Sequence, residues 1–271
     1  MSAHKDRYVF SAEWENERAR LGGLAALCDP TTQRHLTALG VGPGWRCLEI
    51  GGGAGTIARW LASAIGPAGR LVVTDLDTRF LEDLRSERVE VLRHDIRTDP
   101  IEGLFDLIHA RAVLEYLASR GEIVPRLVAA LRPGGVLLLE DVLFGGAASQ
   151  ALAPAVMPPE LAPLLQRLYD AASIGYQRAG ADSQYGIQLP SALVAAGLED
   201  VDAEVSSALV RGGSVRALWY GLTIQQFGPR LVDAGLLSAE EADRLDAFSR
   251  DPAARFMSVA MVSAWGRRPA R

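Results

Sequence analysis

Residues 47–56 read Cys-Leu-Glu-Ile-Gly-Gly-Gly-Ala-Gly-Thr, an apolar run that stops on four glycines in five positions. Glycine in an ordered element costs about 0.5–1 kcal/mol relative to alanine, so the concentration of glycines implies a need for bare backbone. A turn of this kind between a strand and a helix brings main chain close to a ligand where a Cβ would collide. In a doubly wound α/β sheet such turns stand at the carboxyl ends of the strands, where ligands bind.

The flanking pattern agrees. Short apolar runs at 45–50, 70–75, 89–95, 105–111 and 136–144 alternate with helical periodicity at 56–66, 78–86 and 121–131, which predicts βαβ units and a mostly parallel sheet. Pro125 is placed in the first turn of its helix, Arg132–Gly135 in a turn, and Asp29–Pro30 at the start of a helix ending at Gly40. Further on, 189–200 reads as a helix and 201–210 and 255–265 as two more strands. Ser238 followed by Glu241 marks a capping box. The expected fold is a doubly wound, seven-stranded, mostly parallel sheet with a helical N-terminal segment and helical insertions. It forms one domain over 1–271, with an N-terminal cap (1–40), a core (41–144), insertions (145–188 and 212–250) and closing helix and strands (189–211 and 251–271).

Composition excludes several classes. The formal net charge is −5, so no general attraction to nucleic acid or anionic lipid is expected. Cys28 and Cys47 lack metal or redox spacing, and no His/Cys cluster suggests a metal. No apolar run approaches the length of a membrane span. The charged N-terminus has no signal-peptide pattern, and a cytoplasmic location is expected. The only lysine, Lys5, rules out a Walker loop.

Asp75 ends the strand after the glycines, where a carboxylate can accept from both hydroxyls of a ribose. The dinucleotide pattern G-x-G-x-x-G/A fails at Thr56. What stands here is Glu49-x-Gly51-x-Gly53-x-Gly55. Together with VVTDLD (72–77), RHDI (93–96), FDLIHAR (105–111) and LRPGG (131–135), it resembles the ordered motifs of class I S-adenosylmethionine-dependent methyltransferases, over about residues 40–142.

That resemblance implies a donor site. Gly51, Gly53 and Gly55 form its floor, and Glu49 positions the methionine part. Asp75 holds the ribose and Leu76 lies beside the adenine. Asp95 takes the exocyclic amine, Ile96 lies against the ring, and Arg111 stands near the methionine end. Plainer roles stay open: Asp95 as a turn residue, Arg111 in an ion pair, His109 as a hydrogen-bonded core histidine.

The implied cofactor is S-adenosylmethionine, with S-adenosylhomocysteine as product. No catalytic residue is assigned. The stretch Arg111-Ala112-Val113-Leu114 lacks the Asn/Asp-Pro-Pro-aromatic motif of relatives that methylate nucleobase or glutamine amino groups. The expected acceptor is therefore a small, largely apolar or aromatic metabolite methylated at O or C, and a homodimer is compatible with the chain. The alternatives are a non-methylating enzyme or binding protein that keeps the pocket, or a NAD-dependent oxidoreductase.

Overall fold

The computed structural model describes Phe10 and residues 14–270. The early apolar runs become strands β1 (Arg46–Ile50), β2 (Arg70–Asp75), β3 (Val89–Arg93), β4 (Phe105–Arg111) and β5 (Leu131–Leu143). Later strands are β6 (Val156–Met157), β7 (Glu199–Ser206), β8 (Leu209–Arg211), β9 (Arg255–Met257) and β10 (Ala260–Arg267). The helices are α1 (Glu17–Ala38), α2 (Thr56–Ala64), α3 (Arg120–Ala129), α4 (Gly146–Leu152), α5 (Ala162–Arg178), α6 (Leu189–Ala195), α7 (Val215–Asp233) and α8 (Ala239–Arg250).

Seven strands share one sheet in the order β3-β2-β1-β4-β5-β10-β7. The pairs β1·β2, β1·β4, β2·β3 and β4·β5 are parallel. Such strands are apolar on both faces because both are covered. On one side Ile57 and Leu61 of α2 pack with Leu71, Val73 and Leu107. On the other, Ile123 and Leu127 of α3 pack with Ile108, Leu137 and Leu139. Each such side chain contributes about 1.5–3 kcal/mol by leaving water. Cys47 is one of these core residues, and burial pushes its thiol well above the ordinary range.

The backbone separates into two compact units. Among the described residues, one comprises those up to Cys28, Val142–Gln184 and Ser206–Met261; the other comprises Asp29–Asp141, Tyr185–Val205 and those from Val262 to 270. The second contains most of the seven-stranded sheet. The first is mainly helical and carries a small sheet, β6-β9-β8.

Several local expectations change. The helix expected to start at Asp29–Pro30 begins at Glu17 and runs through Pro30. A proline there removes a bond to the carbonyl four residues back, and that carbonyl, of Ala26, accepts from Arg216 Nε at 3.2 Å instead. Pro125 lies inside α3, which begins at Arg120; the residue four back is Gly121, whose surroundings are open. The helix expected over 78–86 is a single 3₁₀ turn, Glu82–Leu84. The turn expected at 132–135 is the start of β5. The two late strands each split, giving β7 and β8, and β9 and β10, in different sheets. The capping box forms, with Glu241 N–H donating to Ser238 Oγ at 3.1 Å and Ser238 N–H to Glu241 Oε2 at 2.8 Å.

Candidate active site

The corner after β1 is held open by conformations that favour glycine. Gly51, Gly53 and Gly55 have φ of 69°, 52° and 77°. A Cβ on Gly51 would lie 2.4 Å from Val113 Cγ2, and one on Gly52 would lie 2.5 Å from Val73 Cγ1.

The corner's N–H groups are largely used within the protein. Gly51 and Gly52 donate to the Thr74 carbonyl at 2.8 and 3.0 Å, and Gly55 to that of Gly52 at 2.7 Å. Gly53 N–H donates to Asp75 Oδ2 at 2.8 Å. Asp75 Oδ1 accepts from Asp77 N–H at 3.0 Å. Asp75 therefore ties the end of β2 to the glycine corner, and each of its oxygens retains lone-pair capacity. Burial raises its pKa, opposed by the N–H groups of Asp77 and Gly53. Gly55, the N-cap of α2, provides no capping side chain, so it leaves the first-turn N–H groups of that helix without a side-chain acceptor of its own.

Beside Asp75, Leu76 is 51% exposed, an apolar face at the mouth of the corner. Asp95 lies past β3, but its carboxylate is paired with Arg97, whose Nη2 donates at 2.7 Å and whose backbone N–H donates at 3.0 Å. That hydrogen bonding holds its pKa below the usual carboxylate range. Ile96 is buried in the core. The glycines, Asp75 and Leu76 thus come together at one corner, whereas Asp95 is engaged in a turn of its own.

Glu49 and Arg111 belong to a buried polar chain. In the β1·β4 register Glu49 faces His109. His109 Nδ1 bonds to Glu49 Oε2 at 2.7 Å and its Nε2 to Glu140 Oε2 at 3.1 Å. Glu140 also accepts from Thr32 Oγ1 at 2.5 Å and Ser263 Oγ at 2.6 Å. Arg111 donates to Thr32 Oγ1 at 2.8 Å and pairs with Asp29 at 2.7 Å.

Burial alone would lower the pKa of His109, but the charge of Glu49 and the bonds to both carboxylates raise it to about 9. Burial would raise Glu140, and its bond to His109 with the charges of His109 and Arg111 brings it down to about 2. The imidazolium therefore cross-links β1 and β5 through β4. Sequence reasoning reached Glu49 and Arg111 singly and missed Asp29, Thr32 and Glu140, which carry no local motif.

At the end of β4, Ala112 has φ 53°, a left-handed conformation costing about 1–2 kcal/mol for a residue with a Cβ. Its N–H donates to the Glu140 carbonyl at 2.7 Å. This kink delivers Val113 to its seat against Gly51.

Residues 48–137, which include this corner and its parallel strands, match the family described as "Methyltransferase domain". Over these residues the chain is similar to methyltransferase domains. It is 32% identical over 139 residues to Methyltransferase str3 of Strobilurus tenacellus, covering 49% of this chain and 47% of that one. To the ubiquinone/menaquinone biosynthesis C-methyltransferase UbiE of Ectopseudomonas mendocina it is 27% identical over 146 residues, 51% of each. The chain spans about half the length of these curated relatives.

A solved structure of phosphoethanolamine N-methyltransferase 2 from Haemonchus contortus, in complex with phosphomonomethylethanolamine and S-adenosylhomocysteine, shares the fold of this domain. Its TM-score is 0.53 at 17% identity, over 89% of this chain and 53% of that one. No helix of the described residues is long and apolar enough to cross a membrane. No group of three or more metal-ligating side chains occurs among them.

Proposed function

We propose that the protein transfers a methyl group from S-adenosylmethionine to an O or C atom of a small, largely apolar or aromatic molecule. The observation that carries this reading is the lock between Gly53 N–H and Asp75 Oδ2 at 2.8 Å. It fixes a carboxylate at the mouth of a turn shaped by left-handed glycines, with acceptor capacity left for two ribose hydroxyls. Leu76 supplies an apolar face for adenine, and the first turn of α2 supplies N–H groups for the methionine carboxylate. Ile96 supports the adenine side from the core; Asp95 contributes there while paired with Arg97. Glu49 and Arg111 act through the polar chain that braces the methionine side.

Bound S-adenosylmethionine supplies an already activated sulfonium methyl. The protein's part is to orient donor and acceptor and exclude water, which contributes roughly 7–11 kcal/mol. An O–H or C–H acceptor also loses a proton as its new bond to the methyl carbon forms. The acceptor class rests on the absence of the amino-methylating motif after β4, on the acidic chain, and on likeness to a relative named as a quinone-biosynthesis C-methyltransferase.

Calorimetric titration with S-adenosylhomocysteine tests the donor site. The folded protein binds it, and Asp75→Ala weakens binding at least tenfold, the loss of charge-assisted hydrogen bonds. No binding to the wild type, or equal affinity in the variant, refutes the assignment. Incubation with labelled donor and a panel of phenols and quinones then tests transfer, read as a mass gain of one methyl group.

A further inference from the structure

Two hydrogen-bonding groups of α7 are buried with nothing to bond. Trp219 is 9% exposed, and its indole Nε1 has no hydrogen-bond partner among the described residues; nor has the hydroxyl of Thr223, one turn further on. Buried polar groups without partners are rare in folded proteins and costly. A threonine inside a helix can bond its hydroxyl to the carbonyl four residues back, here that of Trp219, and Thr223 does not. The Trp219 ring stands T-shaped to Tyr220 at 4.7 Å, which orients the indole but gives its N–H no oxygen.

Both groups face α1. Side chains four apart share one face of a helix, so Trp219, Thr223 and Phe227 form a single row on α7. At the start of the row α1 crosses closely: a Cβ on Gly23 would lie 2.6 Å from the Trp219 nitrogen and 3.0 Å from its Cβ. At the end of the row the Phe227 ring meets that of Phe10 at 6.0 Å. Phe10 in turn lies under the guanidinium of Arg20, also on α1, at 3.9 Å. The row is therefore bounded by α1 and its stacked ring at both ends. Thr223 is half-buried, so the seam between the two helices reaches solvent at its middle.

The chemistry of the seam selects what fits it. An indole N–H only donates, and a threonine hydroxyl can donate beside it; a carbonyl oxygen has two lone pairs and serves both. Beyond Phe227 the rings continue edge-on to Tyr176, at 6.0 Å, and from Tyr176 to Phe144, at 5.1 Å, a setting that suits a flat aromatic body. The charges at hand cancel, since Arg20 holds Glu17 through Nε and Nη2 at 2.8 and 2.7 Å. We propose that Trp219 and Thr223 are the recognition residues of a site for a neutral aromatic carbonyl compound, a ketone or quinone, between α7 and the N-terminal half of α1. This names the acceptor class of the transfer reading above, and rests on that reading for its role though not for its binding.

The probes are fluorenone and fluorene, one flat frame with and without the carbonyl. Calorimetry on the full chain finds fluorenone bound at least tenfold more tightly, because fluorene leaves both donors unpaired. Trp219→Phe and Thr223→Val each cut that ratio several-fold, chiefly by weakening fluorenone. Without ligand, Thr223→Val melts no lower than the wild type, since a methyl of the same shape replaces a hydroxyl that has no bond to lose. Equal binding of the two probes, binding of neither, a ratio unmoved in both variants, or a lower melting temperature for Thr223→Val overturns the proposal. Titration of the wild type with S-adenosylhomocysteine reports on the donor reading separately: its failure beside retained fluorenone selectivity defeats that reading and leaves this site standing.

Discussion

His109 offers the sharpest test of how the sheet is held together. It is fully buried, and its imidazolium lies between Glu49 and Glu140. Its pKa rises from an ordinary 6.5 to about 9 in the folded protein. A base whose pKa is raised on folding contributes stability that is fully present below pH 6.5 and lost as pH rises through about 9. The difference corresponds to about 3 kcal/mol, or roughly 10 °C in Tm for a chain of this size.

Glu140 works in the other direction. Its pKa is lowered to about 2, so its share is present above the ordinary 4.5 and lost as pH falls toward 2. The two shifts describe one network and do not add. The network stabilises most between pH 4.5 and 6.5. Denaturant unfolding of the wild type and of His109→Gln at pH 6 and pH 9.5 isolates the effect. The gap between them is about 3 kcal/mol wider at pH 6. Equal gaps at the two pH values would refute the ion-pair account, because a purely steric role for His109 carries no such dependence.

Two further substitutions probe separate links. Gly51→Ala places a Cβ against Val113 at a φ of 69°; it destabilises by about 1–3 kcal/mol and weakens S-adenosylhomocysteine binding, read by thermal melting and calorimetry. Ser238→Ala removes the capping box of α8 and lowers stability by about 1 kcal/mol, with S-adenosylhomocysteine affinity unchanged.

The parts of the fold and site that were legible in the sequence are those with short-range causes. Leu48–Ile50 running into Gly51–Gly55, and Asp75 ending the next strand, are local signals set by backbone sterics and strand alternation. The chain from Asp29 through Arg111, Thr32 and Glu140 to His109 and Glu49 was hidden, because cross-strand register and the return of α1 create it. Asp95 was ambiguous for a local reason, since Arg97 two residues on competes for its oxygens. The pieces 201–210 and 255–265 each read as one strand because both halves of each are apolar enough. Only hydrogen bonding at the breaks shows otherwise: Ala208 N–H donates to Ser258 Oγ at 3.0 Å, and Ser258 N–H to the Ala208 carbonyl at 2.9 Å.

The position of β10 between β5 and β7 has a bearing on synthesis. A nascent chain that has already emitted β7 has nowhere to dock it, because its sheet neighbour lies beyond α7 and α8 in the sequence. Until that later strand leaves the ribosome, β5 keeps a bare edge and β7 waits as an unpaired ribbon. This interval, rather than the finished protein, is when the chain is most open to misassociation.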